Sequence, residues 1–505
     1  MVNESKVYTN LELVFVTIVL AIATFMQVLD STIANVSIPT IAGDLGISSN
    51  QGTWIITGFG VSNAISIAVS GFFAKKIGEV KLLLYSTALF TFFSFMSGIS
   101  TSINELVFFR VMQGAVAGPV IPISQSLIMR AYPLRMRNLA LSFWGMTVIL
   151  APVFGPILGG YISDNFNWGW IFFINIPLGI FVVLIGGPLL QRLELKPENI
   201  PFSYIAFGFL ALGVGSLQVL LDQGEQLGWW GSLEIRILTV ASVLGLIYFF
   251  ISQRGSKNPI IDLSLFKSLN FTISTLGISL ANMAYFGAII LIPQLLQTVY
   301  GYTALWAGIA LAPIGILPVF LASYIAKLSD EIDLRLIVTF SFILYAFCFF
   351  WRAYIFVPEM PLDMVVWPQL LQGLALVCFF MPLTALGMQG IPADKLASAT
   401  SIQNFLRTLA GSVGTSITTT MWSNRGTFHH ARLTENIESY NPEVEELYNG
   451  LAEKGASTLE ISDMLNTEIT SQALIMSAND IFWVCGWIFI GLVFLVWFSK
   501  PVKSS

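Results

Sequence analysis

Long apolar runs, separated by short polar segments, form the pattern of the whole chain. Fourteen of these runs reach the roughly 17 to 25 residues that an α-helix needs to cross a membrane. The predicted spans lie near 13–38, 52–73, 82–100, 104–129, 138–163, 169–190, 202–221, 233–252, 270–298, 304–326, 335–354, 364–389, 397–421 and 479–499. The pattern predicts an all-α polytopic membrane protein with 14 transmembrane helices.

Composition agrees with this pattern. The 505-residue chain is 55% hydrophobic and 10% charged, and its mean hydropathy of +0.77 lies outside the range of soluble domains. A net charge of −5 without a long basic run indicates no nucleic-acid partner. Cys348, Cys378 and Cys485 stand singly in apolar runs, so we expect small core hydrophobes and no disulfide, metal or cofactor. The first run lacks a cleavage site and predicts a membrane helix.

The basic residues predict the orientation of the spans. Seventeen of the 24 Lys and Arg residues fall on the side that carries the N-terminus, and five fall on the opposite side. Because cytoplasmic loops are enriched in Lys and Arg, we expect both terminal segments, 1–12 and 500–505, in the cytoplasm.

An internal repeat divides the spans into two halves. The sequence RVMQG at 110–114 recurs as QLLQG at 369–373, and each is followed by a proline that predicts a kink. The first half contains an acid and a base where the second has Gln or apolar residues, which favours coupling in the first half. We expect two pseudo-symmetric six-helix bundles, one at 13–190 and one at 270–421 with 479–499, and two inserted helices at 202–252.

An acidic segment at 423–478 separates the last two spans on the outer side. Its composition is compatible with short surface helices. A solvated loop is one interpretation, and a docking surface for another protein is the alternative. His429 and His430 lie in this segment without a second group of ligands, so we expect no metal site there.

Asp30 interrupts the first apolar run, in the stretch LDSTIANVSIP at 29–39. A bare carboxylate in hydrocarbon costs at least a few kcal/mol, so an intramembrane acid indicates ion or proton handling. About nine residues, roughly 13 Å of helix, separate Asp30 from Pro39. This depth argues against a capping role at the outer interface.

Two arginines are candidate partners for Asp30. Arg110 lies at a similar depth in the fourth span, on a face that also bears Gln113 and several small residues. A neighbouring guanidinium favours the charged carboxylate and burial favours the neutral one, so a movable pair allows proton uptake and release. A static ion pair is the alternative. Arg407, near the middle of the thirteenth span, is the rival partner, or binds an anionic substrate, or bonds to neighbouring carbonyls.

The fifth span contains APVFGPILGG at 151–160, with small residues four positions apart. Such spacing lets helices pack backbone to backbone, and the prolines make the helix bendable. Taken alone, this pattern is typical of packing.

Three of these stretches resemble one family. GPILGG at 155–160 resembles the antiporter motif of the major facilitator superfamily, and RVMQG at 110–114 is similar to its fourth-helix motif. LDSTIANVSIP resembles the first-helix motif of its fourteen-helix drug:proton antiporter family. Further stretches, among them FLRTLAGSVGTSITTTMW at 405–422, extend the similarity along nearly the whole chain to the EmrB type of multidrug efflux pump.

The resemblance implies an inner-membrane pump that works with a periplasmic membrane-fusion adaptor and an outer-membrane channel. It implies Asp30 and Arg110 as proton-coupling residues. It also implies a hinge in the antiporter motif, formed by Gly155, Pro156, Gly159 and Gly160. One departure is Lys75, where the general superfamily pattern has Asp; the EmrB type commonly shows this variant.

A substrate cavity between the halves should be mostly apolar with few polar groups, which suits varied lipophilic drugs. Ordinary helix packing is the alternative for each candidate. The candidates are Asn35, Gln113, Asn282, Tyr285, Phe286, Gln294, Gln372 and Asn404.

The sequence therefore predicts a proton-coupled exporter of structurally diverse hydrophobic compounds. A facilitator or exporter of one specific small metabolite on the same fold is the alternative. A membrane-embedded enzyme is disfavoured, because the chain has no HExxH, GxSxG or Walker phosphate loop.

Overall fold

The computed structural model describes residues 8–47, 49–133, 136–254, 256, 259–435, 437, 442–453 and 457–501. Parts of the predicted terminal segments 1–12 and 500–505, and of the acidic segment 423–478, lie outside these residues. For Pro156 of the predicted hinge, only the place in the helical backbone is described.

The regular elements of the described residues are helices, which confirms the predicted all-α fold. Twelve are long and apolar enough to cross a membrane, and the bent α5 makes a thirteenth. The remaining long helix, α13, is more polar. The long helices are α1 (Asn10–Asp44), α2 (Trp54–Ile77), α3 (Glu79–Gly98), α4 (Ile103–Ala131), α5 (Arg137–Asn165), α6 (Trp170–Leu193), α7 (Tyr204–Gln223), α8 (Leu233–Gln253), α9 (Leu269–Thr298), α10 (Leu305–Ser329), α11 (Leu334–Ile355), α12 (Leu362–Met388), α13 (Leu396–Glu435) and α14 (Thr458–Trp497).

Proline and glycine interrupt the helices that line the centre of the bundle. The regular hydrogen-bonding pattern of α4 breaks at Gly118 and Pro119, as the sequence predicts. The two parts of α5, Arg137–Pro152 and Ile157–Ser163, meet at an angle of 42°. Proline removes a backbone donor and its ring clashes with the preceding turn, which explains both irregularities.

The two halves meet along a few helix pairs. Within the first half α1 packs along α5, and within the second half α9 packs along α13. Between the halves, α13 contacts α2 and α4, and α5 contacts α10. The inserted helices α7 and α8 pack on each other, and α7 also contacts α2 and α13. The inserted pair is therefore docked at the junction of the two halves.

The described part of the predicted outer loop at 423–478 is mostly helical, and two of its helices are continuous with the last two spans. Helix α13 continues to Glu435, and α14 begins at Thr458, so both extend beyond their predicted apolar spans by roughly 20 to 30 Å. Between them lies a short helix, Pro442–Glu453. Hydropathy marks where a helix leaves the membrane, whereas the polar residues that follow still support helix. We call Trp422–Glu435 and Thr458–Asp480 together the outer hairpin.

Side-chain contacts join the two helical segments of the outer hairpin. One carboxylate oxygen of Asp480 accepts from Arg425 Nε at 2.7 Å and lies 2.8 Å from His429 Nε2. His430 Nε2 lies 3.1 Å from Asn466 Oδ1. Among the described residues, no group of three or more His, Cys, Asp and Glu side chains is arranged to hold a metal ion.

Candidate functional site

Asp30 lies at the centre of a buried polar cluster in the first half. Its carboxylate Oδ2 is 2.5 Å from Arg110 Nη1, and the two side chains are 0% and 1% exposed. The predicted pairing of α1 with α4 is therefore present in the structure. Arg407 is not the partner of Asp30.

Two amides complete the bonding of the Asp30 carboxylate. Gln113 Nε2 donates to Asp30 Oδ1 at 3.1 Å, and Gln113 Oε1 accepts from Arg110 Nη1 at 2.7 Å. Asn175 Nδ2, on α6, also donates to Asp30 Oδ1 at 2.7 Å. The sequence reasoning assigned Gln113 to the substrate cavity and missed Asn175. An amide side chain inside the apolar run FFINIPLG was the available signal.

Aromatic rings enclose the guanidinium of Arg110. Its Cζ atom lies 4.2 Å from the ring centre of Phe59 on α2 and 5.4 Å from that of Phe172 on α6. Its Nε donates to the carbonyl of Ile55 at 3.3 Å. Burial of an ion pair is costly unless hydrogen bonds satisfy the remaining groups, and this site supplies them. The pair is stable while both members are charged, and removal of either charge leaves the other unbalanced.

The glycines of the antiporter-type motif let α5 approach α1 directly beside Asp30. A Cβ at Gly155 would lie 2.2 Å from Thr32 Oγ1, and a Cβ at Gly159 would lie 2.6 Å from the carbonyl of Ile33. Gly160 is buried as well. Any larger residue at the two contact positions would push the bent helix away from the segment that carries the carboxylate.

A cavity of about 290 Å³ lies between the halves, next to this cluster. Phe59 lines the cavity, and its ring also covers the guanidinium of Arg110, so this residue connects the cavity wall to the charge pair. The lining residues are Gln27, Val28, Ser31, Ile56, Phe59, Gly60, Asn63, Ile67, Ile121, Val148, Pro152, Gln218, Asp222, Asn282, Tyr285, Phe286, Leu376, Phe379, Phe380, Arg407, Thr408, Gly411, Ser412 and Thr415.

Three of the eight predicted substrate residues line this cavity, namely Asn282, Tyr285 and Phe286. Asn35 and Gln294 are exposed, and Gln372 is buried away from it. Gln113 and Asn404 are buried and bonded to other side chains. These five depart from the prediction because depth along a helix does not determine which side of the helix faces the cavity.

Arg407 lies in the cavity wall. Its guanidinium Cζ is 5.1 Å from the ring centre of Phe380, and no described residue forms an ion pair with it. Asn282 Nδ2 donates to the backbone carbonyl of Arg407 at 3.0 Å. The second half therefore presents a cation to the cavity, whereas the cation of the first half is paired.

Direct hydrogen bonds join the halves on the side of the bundle where α1 begins and α14 ends. Ser70 Oγ donates to Ser401 Oγ at 2.8 Å, and Asn404 Nδ2 donates to Gln125 Oε1 at 2.7 Å. A Cβ at Gly71 would lie 2.8 Å from Ser398 Cα. Helix α13 thus closes the cavity toward this face, and Asn404 belongs to the closure.

Comparison with known proteins agrees with this architecture. The model of the Major Facilitator Superfamily matches residues 20–415, so the chain belongs to that superfamily of membrane transporters. Within it, the chain is of the EmrB type. It is 55% identical over 499 residues to the multidrug export protein EmrB of Escherichia coli K12, covering 99% of this chain and 98% of the relative. It is 52% identical over 502 residues to the EmrB of Haemophilus influenzae, with the same coverage.

A solved structure supports the fold independently of sequence. The proton:xylose symporter XylE, a superfamily member, superposes with a TM-score of 0.61 at 12% identity, covering 99% of this chain and 98% of the symporter. At that identity the likeness concerns the fold alone.

Proposed function

We propose that the protein is a proton-coupled antiporter that exports structurally diverse hydrophobic drugs by alternating access. The buried Asp30–Arg110 pair, connected by Phe59 to the wall of a central, largely apolar cavity, is the observation that carries the proposal. The relatives named multidrug export proteins support the substrate class.

Asp30 is the proposed proton carrier. When it is ionised, Arg110, Gln113 and Asn175 hold it. A proton on the carboxylate removes one charge of the pair and weakens its hold on Arg110, whose ring neighbour Phe59 also lines the cavity. Occupation of the cavity and protonation of Asp30 can therefore influence each other through one aromatic side chain. The nearby bend of α5, with Gly155, Pro156, Gly159 and Gly160, is the proposed hinge.

The orientation follows from the distribution of basic residues, with both termini proposed to be cytoplasmic in a bacterial inner membrane. One proton moving inward through 100 mV provides roughly 2.3 kcal/mol, which sustains about a forty-fold gradient of an uncharged drug. We propose Arg407 as a second charge that responds to the cavity's occupant.

A periplasmic membrane-fusion adaptor and an outer-membrane channel are the proposed partners. The outer hairpin is the proposed docking surface for the adaptor, because it projects beyond the membrane and carries an excess of acidic residues. An internal deletion of residues 430–466 begins and ends at the paired His430 and Asn466, so it shortens both helices of the outer hairpin without touching the cavity. We expect this deletion to abolish co-purification with the adaptor while drug binding is kept; retained co-purification would place the docking surface elsewhere.

Inverted membrane vesicles test the transport proposal. We expect a proton gradient to drive uptake of a lipophilic dye and a proton uncoupler to abolish that uptake. Vesicles with Asp30→Asn should take up no more dye than wild-type vesicles treated with the uncoupler. Unrelated lipophilic compounds should compete with the dye. Stereospecific competition by one metabolite alone would favour a transporter of a specific small molecule instead.

A further inference from the structure

The inserted helix α7 reaches the central cavity, although it belongs to neither of the two six-helix bundles. Gln218 and Asp222, one turn apart near the end of α7, both line the cavity. Gln218 Nε2 donates to Asp222 Oδ1 at 3.0 Å and to Ser412 Oγ on α13 at 3.0 Å. This amide therefore orients the carboxylate and joins the inserted helix to the second half.

Buried acceptor atoms without partners occur on other residues that line the same cavity as Asp222. Gln27 Oε1 on α1, Asn63 Oδ1 on α2 and Gln218 Oε1 have no hydrogen-bond partner among the described residues. Each of these side chains is at least 91% buried, and each lines the same cavity. A buried acceptor without a partner is unfavourable. Three such acceptors on residues that line the same cavity as a carboxylate favour a cation or an N–H donor as the occupant.

The two carboxylates in this region differ in access. Asp30 is bonded to three side-chain donors and does not line the cavity. Asp222 does line it, forms no ion pair with any described residue, and is bonded by neutral neighbours, Gln218 and Thr57. Arg407, the other charged group that lines the cavity, forms no ion pair with Asp222.

We propose that Asp222 is a substrate-selecting residue, and that with the acceptors of Gln27, Asn63 and Gln218 it binds the cationic group of a lipophilic substrate. The aromatic side chains of Tyr285 and Phe286 line the same cavity and suit the apolar body of such a cation. The inserted pair thus contributes to recognition. This inference rests on the proposed function as an exporter, and it adds the charge of one substrate class.

Two ions of equal shape and opposite charge test the inference. Binding of tetraphenylphosphonium and tetraphenylborate to the purified full-length protein in nanodiscs is measured by equilibrium dialysis at neutral pH, without a proton gradient. We expect Asp222→Asn to weaken phosphonium binding on the order of tenfold, because a partly buried charge contact is lost, and to leave borate binding unchanged or tighter. Asp222→Glu should restore phosphonium binding. Glu225→Gln, the same charge change at an exposed position three residues later, should bind both ions as the wild type does.

Unchanged phosphonium binding in Asp222→Asn would overturn the inference, and so would an equal loss of both ions that Asp222→Glu does not repair. Wild-type protein that exports drugs but does not bind phosphonium would also overturn the inference and leave the proposed export intact. Asp30→Asn separates the two proposals, since we expect it to lose proton-driven transport, while Asp222→Asn should still lower phosphonium binding when it is added to Asp30→Asn. Full transport by Asp30→Asn would refute the coupling proposal without affecting the role of Asp222.

Discussion

Helices α4 and α12 repeat the same packing but not the same charge. A Cβ added at Gly114 on α4 would lie 2.3 Å from the carbonyl oxygen of Phe59. A Cβ added at Gly373 on α12 would lie 2.2 Å from the carbonyl oxygen of Ile314. One and four residues earlier, however, α4 has Gln113 and Arg110 bonded to Asp30, whereas α12 has buried, uncharged amides. The repeat therefore conserves how a kinked helix meets its neighbour, while the charge pair belongs to the first half alone.

The largest expected effect comes from removing one member of the pair. Arg110→Gln leaves the Asp30 carboxylate buried without a cation, and we expect a loss of about 3 to 5 kcal/mol in the free energy of unfolding. Thermal unfolding in detergent measures it. The double variant Asp30→Asn with Arg110→Gln should recover most of the loss. If the single and double variants were equally destabilised, the charge pair would not be the source of the effect.

The shared packing is expected to give a smaller and equal effect in both halves. Gly114→Ala and Gly373→Ala each place a methyl group against a backbone carbonyl, which costs about 1 to 3 kcal/mol. Gly208→Ala is the matched control, because a Cβ there meets nothing within 4 Å. Unfolding measurements that showed a large difference between Gly114→Ala and Gly373→Ala would break the structural equivalence of α4 and α12.

Asn175→Leu should have a still smaller effect on stability, about 1.5 kcal/mol. It removes one of three donors to Asp30, and Gln113 still donates to the same oxygen. Because the lost bond favours the charged carboxylate, export by this variant should respond to protons at a higher pH than export by the wild type. A pH profile of dye uptake in vesicles checks the direction; an unchanged or lowered midpoint would contradict it.

The smallest effect is expected at the matching position of the second half. Gln372→Leu removes an amide that is not bonded to the charge pair, so the pH profile of export should stay as in the wild type. A shifted profile would show that proton coupling extends into α12.

The Asp30–Arg110 pair could be predicted from the sequence, because depth can be counted along a helix and the two residues lie at similar depth. Asn175 and Asp222 could not be predicted in this way, since the rotation of α6 and the docking of α7 depend on packing between distant segments. Asn35 and Gln294 show the converse limit, since both are polar and exposed but do not line the cavity. Hydropathy also ended α13 too early, because it reports the membrane boundary and not the end of the helix.

Proton release on ligand binding tests the central claim most directly. Purified protein in weakly buffered detergent is mixed with a lipophilic substrate, and a pH-indicator dye reports the protons released per substrate bound. We expect release from the wild type and from Gln372→Leu, and none from Asp30→Asn at equal substrate occupancy. Undiminished release from Asp30→Asn would show that the coupling proton is carried elsewhere.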